Sequence, residues 1–517
     1  MNGTLRVRGN GRTQDVAPNV VFSHFYMTGI CNSEKLSILN FRPFLRNRFD
    51  PPLVIHQTTV MTIATNDPDH SQPLQKKERI LFLDSIRGIA LLGILLMNSM
   101  AQSQPDQYYD KMNLSQPITG PNFYAWVGEM LFFEGTMRGL FSILFGAGTI
   151  LLLTRLTRTR RGLEPADIFY RRLLWLLIFG LINAFVFLWP GDILYPYALC
   201  GLLLFPFRNL SPKNLLWIAF ILLIIGTYRE NSGLYRSKGI IKKGLAVQAI
   251  DTTKVKLTDQ QKDDLAKFTG FKERNSKEGI AKAANEEAKK VKGQSYLSLF
   301  RHYRDVNMTV ESTVFYKFFW WDILLFFFMG MAFYKSGFLL GKKSNLVYLL
   351  TALVGIGAGI LINYFFVKAQ YNLRFDNYEF TQRWKFNYYE IRRVLQTTGY
   401  LSLLILLYKL IPFKKLISIF GPVGQMAFTN YLSQSIITSI FFYGFHWYAR
   451  LQRYEVYYVV AAIWVFQIIF SHIWLRYFRF GPFEWLWRSL TYLQKQPMRR
   501  PKLEVPPELA PGVVTVG

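Results

Sequence analysis

The sequence predicts an all-α, polytopic membrane protein: a helical membrane bundle with about ten transmembrane helices. Of its 517 residues, 51% are hydrophobic and only 18% are charged, whereas a soluble domain carries about 25% charged residues. Its apolar runs are continuous and about 20 residues long, as a membrane-spanning helix requires, and they lack the alternation of barrel strands. The two cysteines, Cys31 and Cys200, lie far apart, which excludes a disulfide framework or a cysteine-rich metal site.

Ten apolar segments fit a spanning helix. We place them at 88–104, 137–156, 172–189, 193–207, 212–228, 315–334, 346–367, 392–411, 425–445 and 457–477. The run 193–207 is short, and the region 122–156 leaves room for an additional re-entrant or interfacial helix. The expected number of spans is therefore nine to eleven.

The distribution of Lys and Arg predicts the orientation of the bundle. Basic residues concentrate in alternate short loops, as between the second and third spans, where Arg155, Arg158, Arg160 and Arg161 lie. Such loops stay in the cytoplasm, so we expect both termini to be cytoplasmic. The formal net charge of +28 is then a topology signal and a contact with anionic lipids, and no nucleic-acid partner is expected.

Composition divides the chain into five segments. Residues 1–78 form an N-terminal extension that we expect to be disordered, or to precede a true start at Met61. Residues 79–228 form the first half of the membrane bundle, and 314–478 form the second half. Between them, 229–313 is a polar extracytoplasmic insertion, which we interpret as a solvated helical cap or a substrate-selecting lid. Residues 479–517 form an interfacial helix and a cytoplasmic tail.

Polar side chains are costly inside a membrane span and therefore need a partner or a function. At the cytoplasmic end of the first span, Asp84 and Arg87 share one helix face, and Gly88 permits close approach of another backbone. This pair is either a structural ion pair or a site for an anionic cofactor. Asn98, further along the same helix, either joins helices or orients a substrate.

Carboxylates in or near other spans are candidates for proton transfer. Glu134 precedes Arg138, Asp192 lies with Tyr197 near an outer turn, and Asp322 lies inside the sixth span. A carboxylate in such a setting acts as a general acid or base, or pairs with Arg138 or another basic group. Both interpretations remain open from the sequence.

Histidine is the usual general base, and two histidines have a membrane context. His446 lies at the outer end of the ninth span and His472 lies in the tenth. Asn430 and Gln434 are four residues apart and so share one helix face. No Gly-x-Ser-x-Gly, Walker or His-Glu-x-x-His motif is present, so soluble hydrolase, ATPase and zinc-protease functions lack support. No metal site is predicted.

Five motifs resemble a bacterial membrane family called domain of unknown function 418, the YeiB-like proteins. They lie at 83–88, 141–148, 191–198, 430–435 and 480–488. The resemblance covers residues 79–492 and implies a bacterial cytoplasmic (inner) membrane protein.

A more distant resemblance suggests a mechanism. The Asp84-x-x-Arg87-Gly88 opening, followed by Asn98, is similar to transmembrane acyltransferases such as heparan-α-glucosaminide N-acetyltransferase and the acyltransferase-3 group. This resemblance implies an acyl-CoA co-substrate bound from the cytoplasm and an envelope glycan or small-molecule acceptor on the other side. The heparan enzyme has a catalytic His after its first span, and this chain has no His between Asn98 and Phe141.

On this hypothesis each candidate residue has a role. Asp84, Arg87 and Gly88 bind the donor. The catalytic candidates are Asn98, His446, Asp192 and Glu134, and the acceptor-binding candidates are Asn430, Gln434 and Tyr197. No permanently bound cofactor is expected, and the expected partners are membrane lipids and a second copy of the chain. The alternatives are a transporter or channel for a small solute, and a non-catalytic membrane scaffold.

Overall fold

The computed structural model describes residues 76–113 and 116–500. Within these ranges the chain is helical, without a β-strand, and an isolated bridge joins Phe478 to Arg499. The all-α prediction is therefore confirmed. The predictions for the N-terminal extension up to residue 75, for the start at Met61 and for the tail beyond residue 500 lie outside the described residues.

The described part of the chain contains eighteen α-helices. They are α1 Lys76–Ser103, α2 Pro121–Gly128, α3 Thr136–Thr159, α4 Glu164–Phe185, α5 Leu194–Leu202, α6 Pro212–Gln248, α7 Asp259–Asn275, α8 Lys277–Val291, α9 Tyr296–Thr309, α10 Trp320–Lys335, α11 Asn345–Asn372, α12 Asn377–Arg383, α13 Tyr389–Lys409, α14 Ile411–Ser418, α15 Gly421–Gln425, α16 Ala427–Ser439, α17 Arg453–Tyr477 and α18 Pro482–Tyr492. Short 3₁₀ segments occur at Asp106–Tyr108 and Phe205–Asn209. Wider π-helical turns occur at Glu129–Phe133, Val310–Phe319 and Ile440–Gly444.

Seven helical stretches of the described chain are long and apolar enough to cross a membrane, and an eighth is bent. The seven are Leu81–Ser103, Pro121–Thr159, Glu164–Phe185, Pro212–Gln248, Tyr296–Lys335, Asn345–Asn372 and Arg453–Tyr477. The eighth, formed by α13 and α14, turns by 114°. The polytopic helical bundle is thus confirmed, and the described residues contain seven or eight such spans, fewer than the nine to eleven expected.

Two of the ten predicted spans are interrupted in the structure. The run 193–207 is the short helix α5 followed by a 3₁₀ segment that contains Pro206. The run 425–445 is α16 continued by a π-helical turn. Proline has no backbone N–H and cannot continue a regular helix, which accounts for the first interruption.

The centre of the bundle is the contact between α3 and α10. Every residue of α10 from Trp321 to Ala332 is buried. A Cβ atom added at Gly146 would lie 2.1 Å from the carbonyl oxygen of Phe327, and one added at Gly330 would lie 2.0 Å from that of Ile143. These glycines allow the two backbones to touch. The contact holds Arg138 on α3 and Asp322 on α10 at the same end of the bundle.

The predicted insertion is helical in the structure. α6 continues unbroken from the membrane span to Gln248, and α7, α8 and α9 lead back to α10. Phe268 of α7 packs against Gly244 of α6, where an added Cβ would lie 2.1 Å from the Phe268 side chain. We call the end of the bundle that carries this insertion the outer end and the opposite end the inner end. On the predicted orientation the inner end is cytoplasmic.

Candidate functional site

The predicted ion pair of the first span is present at the inner end. The Arg87 Nη1 atom lies 2.6 Å from the Asp84 Oδ1 atom. The Arg87 side chain remains 30% exposed and that of Asp84 21%. Neighbouring helices therefore leave the guanidinium accessible, and it can interact with a second anion.

Gly88 has a packing role. A Cβ atom added there would lie 2.2 Å from the carbonyl oxygen of Phe420, and one added at Gly424 would lie 1.7 Å from that of Asp84. α1 and α15 thus cross with their backbones in contact, and any larger residue would force them apart. This contact explains the glycine, and its part in donor binding stays a prediction.

Four arginines from four helices gather around this end. Arg172 of α4 lies close enough to Arg87 and to Arg488 of α18 for their positive charges to repel it. Arg155 of α3 lies close enough to Arg488 to repel it as well. The Arg172 guanidinium lies 3.5 Å from the centre of the Trp487 ring, a cation–π contact. We call Arg87, Arg155, Arg172 and Arg488 the inner arginine cluster.

The carboxylate of Glu484 connects α18 to the core. It accepts hydrogen bonds from the backbone N–H groups of Phe428 and Thr429, at 2.7 and 3.0 Å, and from the Thr429 hydroxyl. These amides open α16, so Glu484 caps that helix from outside. Burial raises the pKa of Glu484, and the hydrogen bonds from Thr429 and Phe428 oppose this rise. The cap fixes α18, and with it Arg488 of the inner arginine cluster, relative to α16.

Asn430 and Gln434 are buried between α16 and α17. The Asn430 side-chain amide donates to the Val423 carbonyl at 3.1 Å and to the Ser471 hydroxyl at 2.9 Å. The Gln434 amide donates to the Gln467 side-chain oxygen at 2.9 Å. These contacts join the helices, and acceptor binding by these two residues stays a prediction.

At the outer end, Glu134 is held by two residues of α13. The Arg392 Nη2 atom lies 2.5 Å from the Glu134 Oε2 atom. The Tyr389 hydroxyl donates to Glu134 Oε1 at 2.9 Å. Both side chains of the ion pair are at most 4% exposed.

Asp322 lies between two guanidiniums. Its Oδ2 atom is 2.8 Å from Arg138, and its Oδ1 atom is 2.6 Å from Arg393. Of the two interpretations left open for Asp322, the structure shows the ion pairing, with Arg138 and with a second guanidinium. Arg393 also contacts Glu390 at 3.2 Å, so these charges form one buried array.

Tyr197 borders this array. Its hydroxyl lies 2.5 Å from the Ser142 hydroxyl and 3.4 Å from the backbone carbonyl of Arg138. Phe145 and Phe327 pack edge-on against its ring. The structure thus brings two of the predicted site residues, Tyr197 and Glu134, to one charged region.

Glu230 of α6 completes the region. It is 6% exposed and lies near Glu390, Arg393 and Asp322. Apart from a contact with the backbone amide of Glu390, neither of its carboxylate oxygens has a hydrogen-bond partner among the described residues. We call Glu134, Arg138, Glu230, Asp322, Glu390, Arg392 and Arg393 the outer charge network, which contains four carboxylates and three guanidiniums.

Asp192 has partners of its own. The Asn183 side-chain amide donates to it at 2.8 Å, the backbone N–H of Tyr195 donates at 2.8 Å, and the Tyr431 hydroxyl donates at 3.3 Å. The carboxylate therefore ties the turn between α4 and α5 to α16. Tyr431 lies between Asn430 and Gln434 in sequence but points to this different partner.

The remaining catalytic candidates lie apart from these contacts. His446 is exposed in the loop after α16, with a positive φ of 61°. Asn98 is half-buried in the outer half of α1. Within the described residues, no group of three or more His, Cys, Asp and Glu side chains is placed to hold a metal ion.

Sequence reasoning missed Glu230, Glu390, Arg392 and Arg393 as functional candidates. The available signal was the adjacent pair Arg392 and Arg393 at the start of an apolar run, where two charges at the membrane edge need partners. Glu230 gave no such signal, because the apolar pattern ends two residues before it.

The seven or eight long apolar helices define a multi-pass helical membrane protein. The chain belongs to the family described as protein of unknown function DUF418, whose model matches residues 333–494. The uncharacterized protein YxaH of Bacillus subtilis (strain 168) is 31% identical over 452 residues, which cover 83% of this chain and 98% of that protein.

Two further relatives are similar over nearly their whole length. The uncharacterized protein YeiB of Escherichia coli (strain K12) is 31% identical over 420 residues, 80% of this chain and 96% of that protein. An uncharacterized 39.9 kDa protein from Bacillus acidopullulyticus is 26% identical over 437 residues, 82% of this chain and 97% of that protein. No solved structure matches the chain.

Proposed function

We propose that this protein is an acyltransferase of the bacterial inner membrane. It takes an acyl group from acyl-CoA at its cytoplasmic face and transfers it to an envelope glycan or small molecule on the other side. The observation that carries this proposal is the inner arginine cluster, a group of four guanidiniums beside one ion-paired carboxylate, Asp84.

Coenzyme A is recognised through its phosphates. An arginine guanidinium presents a planar fork of donors that matches a phosphate, and such charge-assisted bonds are the stronger ones. Asp84 orients the Arg87 side chain, and the Trp487 ring orients that of Arg172. Because both guanidiniums are already positioned, binding a phosphate costs little additional side-chain entropy.

The bonds and protons of the transfer step balance without a further reactant. The acceptor hydroxyl or amine attacks the thioester carbonyl, its new bond to the acyl carbon forms, and the carbon–sulfur bond breaks. The acceptor proton passes to a base, and the CoA thiolate takes up a proton. In this scheme Asn98 donates to the thioester oxygen, and the base is His446, Glu134 or Asp192, of which His446 is exposed.

The test is CoA binding by the purified full chain in detergent. We expect Arg87→Ala and Arg172→Ala each to weaken acetyl-CoA binding by about tenfold, the effect of losing one charge-assisted hydrogen bond of roughly 1.5 kcal/mol. Isothermal titration calorimetry would measure the affinity.

Arg160→Ala is the matched control. Arg160 also lies at the inner end, but it is exposed and pairs with Glu164 at 2.8 Å. Its removal should leave the affinity unchanged. Wild-type affinity in both the Arg87 and the Arg172 variants would refute the proposed donor site.

A further inference from the structure

The outer charge network has one carboxylate more than it has guanidiniums. Within it, Glu134 and Arg392 form an ion pair of their own, and both side chains are at most 4% exposed. The other members are three carboxylates and two guanidiniums, namely Glu230, Asp322, Glu390, Arg138 and Arg393. If all five of these groups were ionised, they would carry one uncompensated negative charge.

Both guanidiniums of this group of five bind carboxylates other than Glu230. Arg138 lies 2.8 Å from Asp322. The Arg393 Nη1 atom lies 2.6 Å from Asp322 and 3.2 Å from Glu390, and its Nη2 atom has no hydrogen-bond partner among the described residues. Glu230 is therefore the carboxylate without a guanidinium of its own.

Glu230 and Glu390 lie together in a closed part of the bundle. Glu230 is 6% exposed and Glu390 is 1% exposed, and their negative charges repel each other. A Cβ atom added at Gly226, one turn before Glu230, would lie 3.3 Å from the Glu390 Cγ atom and 3.0 Å from the Trp321 Nε1 atom. Trp321 is itself 2% exposed. Because α6, α10 and α13 enclose these two carboxylates, they are shielded from cations in solution.

The neighbouring helices supply no further cation to Glu230 among the described residues. The charged and titratable groups that α3, α10 and α13 contribute to this region are Arg138, Asp322, Tyr389, Glu390 and Arg393. On α6 itself, Arg229 precedes Glu230, but it is exposed and donates to the backbone carbonyl of Lys317 at 3.3 Å. The excess negative charge is therefore not balanced by a side chain.

A proton is the ligand that removes this imbalance. An ionised carboxylate without a partner is costly in a low-dielectric interior and takes up a proton instead. Two neighbouring carboxylates in such a site share one proton, because double ionisation places like charges side by side. A protonated carboxyl group also becomes a hydrogen-bond donor, and the Glu390 Oε1 atom is a buried acceptor without a partner among the described residues.

We propose that the outer charge network is a proton-binding site, which holds one exchangeable proton on Glu230 or Glu390, and that the packing of α6 against α10 and α13 depends on this proton. With the proton bound, two carboxylates face two guanidiniums. Its release restores the uncompensated charge and weakens the contact of α6, the helix that leads into the outer insertion. The site operates without an acyl donor.

Infrared difference spectroscopy of the detergent-purified full chain at neutral pH tests for the proton. A protonated carboxyl group absorbs at a higher frequency than a carboxylate, and carboxyl groups common to two variants cancel in the difference spectrum. We expect Glu230→Gln and Glu390→Gln each to lose one protonated-carboxyl band per molecule, because either change leaves two carboxylates for two guanidiniums. The double variant should also lose only one band.

Glu379→Gln is the matched control. Glu379 lies on the surface, 38% exposed, and pairs with Arg383 at 3.0 Å, so its replacement should leave the band unchanged. If neither Glu230→Gln nor Glu390→Gln lost a band, both carboxylates would be ionised and the proposal would be overturned. The loss of two bands in the double variant would overturn it as well, because each carboxyl group would then hold its own proton. A band lost in one single variant alone would assign the proton to that residue.

The dependence of packing on the proton has a separate test. An unfolded chain releases its glutamate protons well below neutral pH, whereas the folded protein retains this one. The unfolding equilibrium constant of the wild type should therefore rise with pH, about tenfold more per pH unit than that of Glu230→Gln. Thermal midpoints between about pH 5 and 8 should accordingly fall more steeply in the wild type. Parallel midpoints in the two proteins would overturn the link between the proton and the packing of α6.

Discussion

Arginine has different surroundings in the inner arginine cluster and in the outer charge network. In the inner cluster, Arg87 is 30% exposed and Asp84 supplies its only salt bridge among the described residues. In the outer network, Arg392 and Arg393 are at most 3% exposed, and each is bridged to a carboxylate. An exposed excess of positive charge attracts an anion from solution. A buried and nearly balanced array cannot, and its charges instead fix the helices to one another.

The outer network positions four elements. Arg393 of α13 bridges Asp322 of α10 and Glu390 of its own helix, and Arg138 of α3 binds the other oxygen of Asp322. Glu230 brings α6 into the same region. Buried ion pairs add little net stability compared with well-packed apolar groups, but the loss of one partner leaves an uncompensated charge. The largest expected effects of substitution therefore lie here.

Arg393→Met should be the most damaging change. It leaves Asp322 with one guanidinium and Glu390 with none, so we expect the free energy of unfolding to fall by about 3–5 kcal/mol. Thermal unfolding of the detergent-purified protein would measure this loss as a lower midpoint. Adding Asp322→Asn should make the double variant less unstable than the sum of the two single variants.

Arg383→Met provides the comparison, because Arg383 pairs with Glu379 at 3.0 Å on the surface, with 68% of its side chain exposed. Its loss should cost at most about 1 kcal/mol. If Arg393→Met lowered the free energy of unfolding by a similarly small amount, the charges of the outer charge network would not depend on one another for stability.

The sequence predicted the inner region better than the outer one, and the reason is chain distance. Asp84 and Arg87 are three residues apart in one helix, so helix geometry alone places them together. Pairing of Asp322 with Arg138 was also predictable, since both lie in apolar runs where a charge needs a partner. Arg392 and Glu134 are joined across 258 residues, and no local rule selects that partner.

Helix continuity was the second feature that the sequence did not predict. The apolar pattern of α6 ends near residue 228, and we therefore placed Glu230 in the polar insertion. In the structure the helix runs to Gln248, because the α7 side chains Phe268 and Phe271 pack against its extension. Tertiary contacts of this kind override local hydropathy. Tertiary contacts also explain why the candidate bases do not form one site. Glu134 binds residues of α13, whereas Asp192 binds residues of α4, α5 and α16.

Ionic strength should separate the two regions. Interactions of exposed charges are screened by salt, with a Debye length of about 10 Å at 0.1 M and 3 Å at 1 M. We expect acetyl-CoA binding to weaken about tenfold between roughly 0.05 and 0.5 M sodium chloride, because Arg155 is exposed and the other guanidiniums of the inner arginine cluster are half-buried and partly open to solvent. The thermal midpoint of the protein should change little over the same range. Salt-independent binding would contradict a donor site built from solvent-accessible guanidiniums.

The smallest expected effect concerns the link between α18 and α16. Glu484→Gln removes the negative charge that faces the first amides of α16, and the amide that replaces it offers one acceptor oxygen instead of two. Since Glu484 binds two backbone N–H groups and the Thr429 hydroxyl, at least one of these donors loses its partner. We expect a loss of about 1 kcal/mol in the free energy of unfolding, measured by thermal unfolding. Because α18 carries Arg488 and Trp487, acetyl-CoA affinity should also fall, by a smaller factor than in Arg172→Ala. A variant with lowered stability and wild-type affinity would show that the inner arginine cluster does not depend on this cap.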